Sequence, residues 1–271
     1  MQKPAKDRHA RNDAPVMRRR LTVAVVARSV ALNLAFYVSY PVAMLLGIWV
    51  LAMPRAFANR ALKWWSRLFV RMCRVLGGIR MEVRGAAHIP QGAAIVAGKH
   101  QSMWETFALF HLFEDPTIAL KKELAHIPLV GWFIRKFDMM LVDRAAGPKA
   151  LKNLVRQGEQ AVRAGRQIII FPEGHRMAPF APPDYKPGVA ALYTRLGVPC
   201  VPFALNSGVF WPRRSFWRWP GTIVVSFLPP IAPGLDRRAF MQALREAIEP
   251  EAQALAREGV ARLRERGVLL L

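Results

Sequence analysis

The chain changes its apolar rhythm along its length. Residues 1–20, "MQKPAKDRHARNDAPVMRRR", are polar and basic, with no apolar period. An uncharged apolar run follows from Ser29 to Met53, "SVALNLAFYVSYPVAMLLGIWVLAM". Next, Leu62, Trp65, Leu68, Phe69, Met72 and Leu76 recur at three- and four-residue spacing, with Arg67, Arg71 and Arg74 between them. That spacing predicts a basic amphipathic helix suited to a membrane interface or to packing on a domain. From about residue 80 the pattern alternates. Short β-rich apolar runs at 93–97, 117–120, 139–142, 167–171, 200–205 and 222–227 are separated by helical patterns at 104–113, 148–164 and 187–196. The stretch from Arg237 onward reads as basic and largely helical. Strand–helix alternation predicts an α/β fold, a central mixed sheet flanked by helices.

Four regions follow from this rhythm: a basic disordered tail over 1–28, a hydrophobic membrane segment over 29–53, a basic amphipathic interfacial helix over 54–79, and one α/β domain over 80–271. A helix over 29–53 would reach roughly 37 Å, enough to cross a hydrocarbon core. Pro41 lies mid-run and could break it into a re-entrant hairpin. Basic residues flank both ends, Arg18, Arg19, Arg20 and Arg28 before and Arg55, Arg60 and Lys63 after, so the charge rule sets no single orientation. A cleaved signal peptide fits poorly, because the run is long and Pro54-Arg55 is no small-residue cleavage site.

Charge sharpens this picture. Forty Lys and Arg against 18 Asp and Glu leave a formal charge of +22, which calls for an anionic partner. Apolar residues still make up 53% of the chain, which favours an anionic membrane surface over nucleic acid. Cys73 and Cys200 have neither metal nor disulfide-framework spacing, so a reducing cytosolic setting is expected.

Polar clusters sit where several apolar strands end. In "KHQSMWE", His100 closes a strand and Glu105 falls in the first turn of the next helix. A carboxylate there can accept the Nδ1 proton of His100 and leave Nε2 as a base for a hydroxyl. The same spacing also suits a helix start with a capping glutamate, and spacing alone does not separate the two. In "FPEGHR", Gly174 permits a tight turn, Glu173 could accept from substrate hydroxyls, and Arg176 could clamp a phosphate. Arg144 in "VDR" and Lys122 after "TIAL" could add phosphate contacts, although each alone is better read as a solvated surface charge. Lys186 in "YKPG" could join them. His111, His126 and His175 lack companions at metal-ligand spacing, so no metal and no cofactor are expected. No G-x-S-x-G elbow and no phosphate-binding G-x-x-x-x-G-K loop occur. "WPRRSFWRW" interleaves arginine with aromatics, which beside an apolar anchor reads as an interfacial loop.

Together and in this order, the blocks His100-x4-Glu105, "GWFIRKFDMMLVDR", "FPEGHR" and "VPCVPFAL" resemble the glycerolipid acyltransferase family, in particular its bacterial 1-acyl-glycerol-3-phosphate acyltransferases. The resemblance covers roughly residues 65–230. It implies an α/β acyltransferase domain and an O-acyl transfer. His100 would deprotonate the sn-2 hydroxyl of lysophosphatidate, Glu105 would orient His100, and Lys122, Arg144, Glu173, Gly174 and Arg176 would bind substrate. Acyl-CoA or acyl-carrier protein would be the co-substrate and phosphatidic acid the product. The implied location is the bacterial inner membrane, with the catalytic domain on its cytosolic face. The family usually has aspartate where Glu105 stands. A different lysophospholipid or an aminoacyl lipid as acceptor, or a non-catalytic protein binding anionic lipid, would fit the same charge and anchor.

Overall fold

The computed structural model describes residues 19–268. The expected tail therefore lies largely outside the described residues. Among them, seven strands form one sheet: β1 (Ile79–Arg84), β2 (Ala94–Gly98), β3 (Pro116–Lys121), β4 (Met140–Val142), β5 (Gln167–Ile170), β6 (Cys200–Leu205) and β7 (Gly221–Phe227). The order across the sheet is β1-β7-β6-β2-β5-β3-β4. Strands β6, β2, β5, β3 and β4 run parallel, while β7 is antiparallel to β6 and β1 is parallel to β7. The sheet is thus mixed, and the C-terminal ends of the parallel strands share one edge.

Helices cover both faces. They are α1 (Val23–Leu46), α2 (Arg55–Val75), α3 (Trp104–Ala108), α4 (Val130–Lys136), α5 (Pro148–Arg163), α6 (Gly188–Leu196), α7 (Ser207–Phe210) and α8 (Arg237–Glu265). On one face, Ile95, Ala97, Ile168 and Ile170 pack against Leu154, Leu192, Tyr193, Phe240 and Leu244 of α5, α6 and α8. On the other, Val96, Ile118, Ile169, Val201 and Phe203 pack against Phe36, Phe69, Trp104 and Phe110. Burial on both sides is why the central strands read as continuous apolar runs rather than alternating ones.

The N-terminal apolar run is one long helix and a 3-10 turn, and it pairs with the amphipathic helix that follows. Helix α1 begins at Val23, capped by Thr22 Oγ1, which accepts from Val25 N at 3.2 Å. It continues through Pro41. The alternative of a break there does not occur: the missing N–H deprives one carbonyl of its partner, and packing holds the rest. Helix α2 returns alongside α1, with Phe36 against Phe69 at 5.4 Å and Tyr40 against Trp65 at 6.0 Å between ring centroids. The inner side of α1 is docked on the α/β domain. Ser29 Oγ accepts from Arg218 N at 2.9 Å, and Asn33 Nδ2 donates to Phe216 O at 2.8 Å. Its outer side leaves Val30, Leu34, Val38, Val42, Leu45 and Leu46 exposed.

Two elements differ from the sequence expectation. Helix α2 ends at Val75, short of the expected 79, and residues 79–84 form strand β1, which the apolar pattern did not mark, because Gly78, at φ +65°, turns the chain after α2. Helix α4 occupies residues 130–136, which the apolar pattern did not mark, and the strand expected at 139–142 pairs with β3 over 140–142.

Candidate active site

The polar blocks meet along the shared C-terminal edge of the parallel strands. Strand β2 delivers His100, its neighbour β5 delivers Glu173, and β3 and β4 carry Lys122 and Arg144 further out. Ligands of open α/β sheets bind beyond such strand ends.

His100 Nδ1 lies 2.9 Å from Glu105 Oε1. The same oxygen accepts the N–H groups of Gln101 and Ser102, each at 2.7 Å. Glu105 Oε2 accepts from Ser207 Oγ at 2.8 Å. Glu105 has no solvent exposure, so these charge-assisted bonds offset the cost of burying its carboxylate. With Nδ1–H directed at the carboxylate, Nε2 is left as an acceptor. The His100 ring stacks on Phe171, centroids 4.2 Å apart and planes 13° apart, which fixes its plane. Its side chain is 17% exposed, enough for a reactant to reach it. A helix-capping role alone does not describe this arrangement. Glu105 does satisfy the N–H groups at the helix start, and it holds the imidazole with the same oxygen.

Glycine geometry shapes the approach. A Cβ at Gly98 would come within 2.4 Å of Phe203 O and 2.5 Å of its ring, so β2 and β6 can close together there only with glycine. Gly174, at φ +67°, stands where "FPEGHR" turns, and its N–H donates to Phe171 O at 2.9 Å. The loop then folds back on the end of β2, with Met177 N donating to His100 O at 2.7 Å.

Glu173 takes a place other than substrate contact. Its side chain is fully buried, with Oε1 2.7 Å from Lys99 Nζ and Oε2 accepting from His100 N at 3.4 Å. Lys99 also reaches Glu249 of α8 at 3.0 Å, and Tyr185 Oη donates to the same carboxylate at 2.8 Å. Burial raises the Glu173 carboxyl above its usual range even though Lys99 pulls the other way. Burial, followed by the charge of Glu249, also raises the Tyr185 phenol. Neither Lys99 nor Glu249 stood out in the sequence. The signal for Lys99 was its place at the end of a buried strand, where a charge requires a partner.

The remaining basic residues are more open. The Arg176 guanidinium is half-buried and that of Arg144 exposed, and neither is engaged by a hydrogen bond or ion pair among the described residues. Lys122 Nζ is held by Asp143, a bond that raises the lysine and lowers the carboxyl. Lys186 is paired to Asp184 at 2.7 Å. Cys73 and Cys200 are fully buried thiols, and burial pushes both up, away from thiolate chemistry.

The anchor and the site are one packed body. Phe107 of α3, two residues after Glu105, meets Phe36 of α1 at 5.3 Å and Phe69 of α2 at 5.6 Å between ring centroids. Ser66 of α2 donates to Phe107 O at 2.7 Å.

Known proteins share the sequence and the fold of this chain. A family profile described as Acyltransferase matches residues 80–206. The chain is 37% identical over 184 residues to the 1-acyl-sn-glycerol-3-phosphate acyltransferase of Pseudomonas aeruginosa, covering 68% of this chain and 72% of that one. Identity to the protein of the same name from Saccharomyces cerevisiae is 27% over 177 residues, covering 62% of this chain and 56% of the other. The crystal structure of the 1-acyl-sn-glycerophosphate (LPA) acyltransferase PlsC from Thermotoga maritima shares the fold, with a TM-score of 0.67 and 22% identity, covering 81% of this chain and 94% of that one. The histidine–carboxylate pair lies within the matched residues, and the chain belongs to the glycerolipid acyltransferase family.

Proposed function

We propose that this enzyme transfers an acyl chain from a thioester, acyl-CoA or acyl-carrier protein, to the sn-2 hydroxyl of 1-acyl-glycerol-3-phosphate. The observation that carries the reading is the His100–Glu105 pair, with Nδ1 and Oε1 2.9 Å apart, at the strand edge that also bears Arg144 and Arg176. His100 Nε2 takes the hydroxyl proton as the oxygen attacks the thioester carbonyl. The ester C–O bond forms and the C–S bond breaks. The departing thiolate takes the proton back from the imidazolium, leaving phosphatidic acid and a free thiol. Glu105 holds the ring and stabilises the transient imidazolium. Arg176, Arg144 and Lys122 hold the glycerol phosphate by charge-assisted bonds. No acyl-enzyme is needed.

The outer face of α1 and the turn that follows it, with Leu34, Leu45, Leu46 and Trp49 bare, seat the protein in a bilayer, where an acyl-bearing acceptor resides. Because the inner face is docked on the domain through Ser29 and Asn33, α1 lies against the membrane together with the domain rather than crossing alone. Thioester donors are cytosolic, which puts this face on the inner membrane of a bacterium, site inward. The test crosses lysophosphatidate and other lysophospholipids with acyl-CoA and acyl-carrier protein donors in detergent or vesicles. Fastest turnover with lysophosphatidate supports the reading. Faster turnover with another acceptor replaces the substrate, and no turnover with any pair overturns the reading.

A further inference from the structure

The second oxygen of Glu105 raises a question that the histidine does not answer. Oε1 serves His100 Nδ1 and two backbone N–H groups, whereas Oε2 has a single bond, to Ser207 Oγ at 2.8 Å. Ser207 stands just after β6, the strand paired with β2, so it approaches the dyad from the neighbouring strand end. It is fully buried and thus no acyl acceptor or nucleophile itself.

Its surroundings are built to hold it still. The preceding Asn206 donates from Nδ2 to Leu255 O at 3.1 Å and accepts from Val224 N at 2.9 Å. The following Gly208 donates to Gln101 Oε1 at 3.0 Å. A Cβ on Gly208 would lie 3.0 Å from both Gln101 and Pro179, so the backbone after Ser207 sits directly against the histidine loop. Residues on both sides of Ser207 are therefore bolted down, and its hydroxyl is aimed at one carboxylate oxygen.

We infer that Ser207 is a positioning residue of the acyl transfer, acting through Glu105, and that the glutamate side chain is long enough to bridge Ser207 and His100 at once. This rests on the reading of His100 as the base. An aspartate at 105 would withdraw the carboxylate by about one carbon–carbon bond, about 1.5 Å, too far to keep a 2.8 Å bond to Ser207 without rearrangement. Losing the hydroxyl leaves the buried carboxylate short of a donor and makes it more basic. Both consequences, a more stable imidazolium and a carboxylate more easily protonated, move the acidic limb of kcat to higher pH.

The experiment compares Ser207→Ala, Glu105→Asp, the double variant and His100→Ala by steady-state kinetics across pH, with folding followed by circular dichroism. Ser207→Ala is expected to lower kcat about 10-fold, the scale of one hydrogen bond to a charged group, with KM nearly unchanged and the acidic limb displaced upward. In the Glu105→Asp background the same substitution should cost less than about 2-fold, since the bridge is already lost. A folded Ser207→Ala with wild-type kcat and an unmoved limb overturns the inference, as does an equal cost in both backgrounds. If Ser207→Ala does not fold, Ser207→Cys keeps the volume with only a weak donor. It should show the same displaced limb, and an unmoved one overturns the inference. Undiminished turnover by His100→Ala would instead remove the base assignment, a failure separable from that of Ser207.

Discussion

The two halves of the strand edge treat charge in opposite ways. At β2 and β6, every oxygen of Glu105 is engaged and none is exposed. One strand over, Glu173 is just as closed, locked by Lys99 at 2.7 Å. At β3 and β4, the Lys122 side chain is 43% exposed and Arg144 reaches into solvent. The difference matches the role proposed for each charge. A group that moves protons gains from being fixed in a low-dielectric site before the substrate arrives. A group that captures a phosphate gains from being open and hydrated, where its field reaches outward but is screened by salt. Substitutions on the closed half should therefore strike kcat or the fold, and those on the open half KM.

The largest effect is expected at His100. His100→Ala should lower kcat by about 10³-fold, within the range for a general base, with KM little changed. A large rise in KM with kcat intact would reverse the comparison. Lys99→Met comes next and tests whether the closed half is also the structural one. It leaves Glu173 and Glu249 buried without their cation, at a cost of about 3–5 kcal/mol for breaking a buried pair. The sign with pH is specific. Burial already raises the Glu173 carboxyl, and Lys99 opposes that rise. Without Lys99 the carboxyl climbs further. A carboxyl raised in the folded state stabilises the fold below its unfolded value, and that contribution is lost as pH rises through the folded one. The melting temperature of Lys99→Met should thus fall furthest behind wild type in mildly alkaline buffer and recover toward it in mild acid. Glu249→Gln, which removes one of the two anions on Lys99, should do less.

How much of this was legible in the sequence divides along the same line. The strands at 94–98, 167–170 and 200–205 were readable because burial on both faces makes them unbroken apolar runs. His100, Glu105, Arg144 and Arg176 were readable because they follow such runs, and their place at one edge follows from the parallel order. The partners of the closed half were not. Ser207 lies 102 residues from Glu105 and Glu249 lies 150 from Lys99, separations across which no periodicity speaks. Glu173 was given to substrate because a carboxylate after a strand looks available, and only the lysine packed behind it shows otherwise. The alternative of a break at Pro41 stayed open in the sequence for a related reason. Local propensity sees a breaker, while the contacts of Phe36, Ser29 and Asn33 that hold the helix come from residues far along the chain.

The open cations, those of β3 and β4 together with Arg176 of the loop after β5, carry the smaller effects. Arg176→Ala should raise KM for lysophosphatidate by about 10–100-fold, the scale of a hydrogen bond to a charged group, with kcat within a few-fold of wild type. Arg144, further out at the sheet edge and fully hydrated, should give less, and the effects of both should shrink as salt is added. Lys122 is the finest test, because Asp143 already occupies it. A phosphate can use Lys122 only by displacing that carboxylate, so the net gain is the difference between two ion pairs in water, which is small. Asp143→Asn removes the competitor. Lys122 then relaxes toward its ordinary value, which is still far above neutral, so its charge does not change and only its availability does. KM for lysophosphatidate should therefore fall by about 2-fold in low salt, with kcat unmoved and the gain erased in high salt. A rise in KM instead would mean that Asp143 holds Lys122 in place for the phosphate, and the mouth would then be pre-positioned like the dyad beside it.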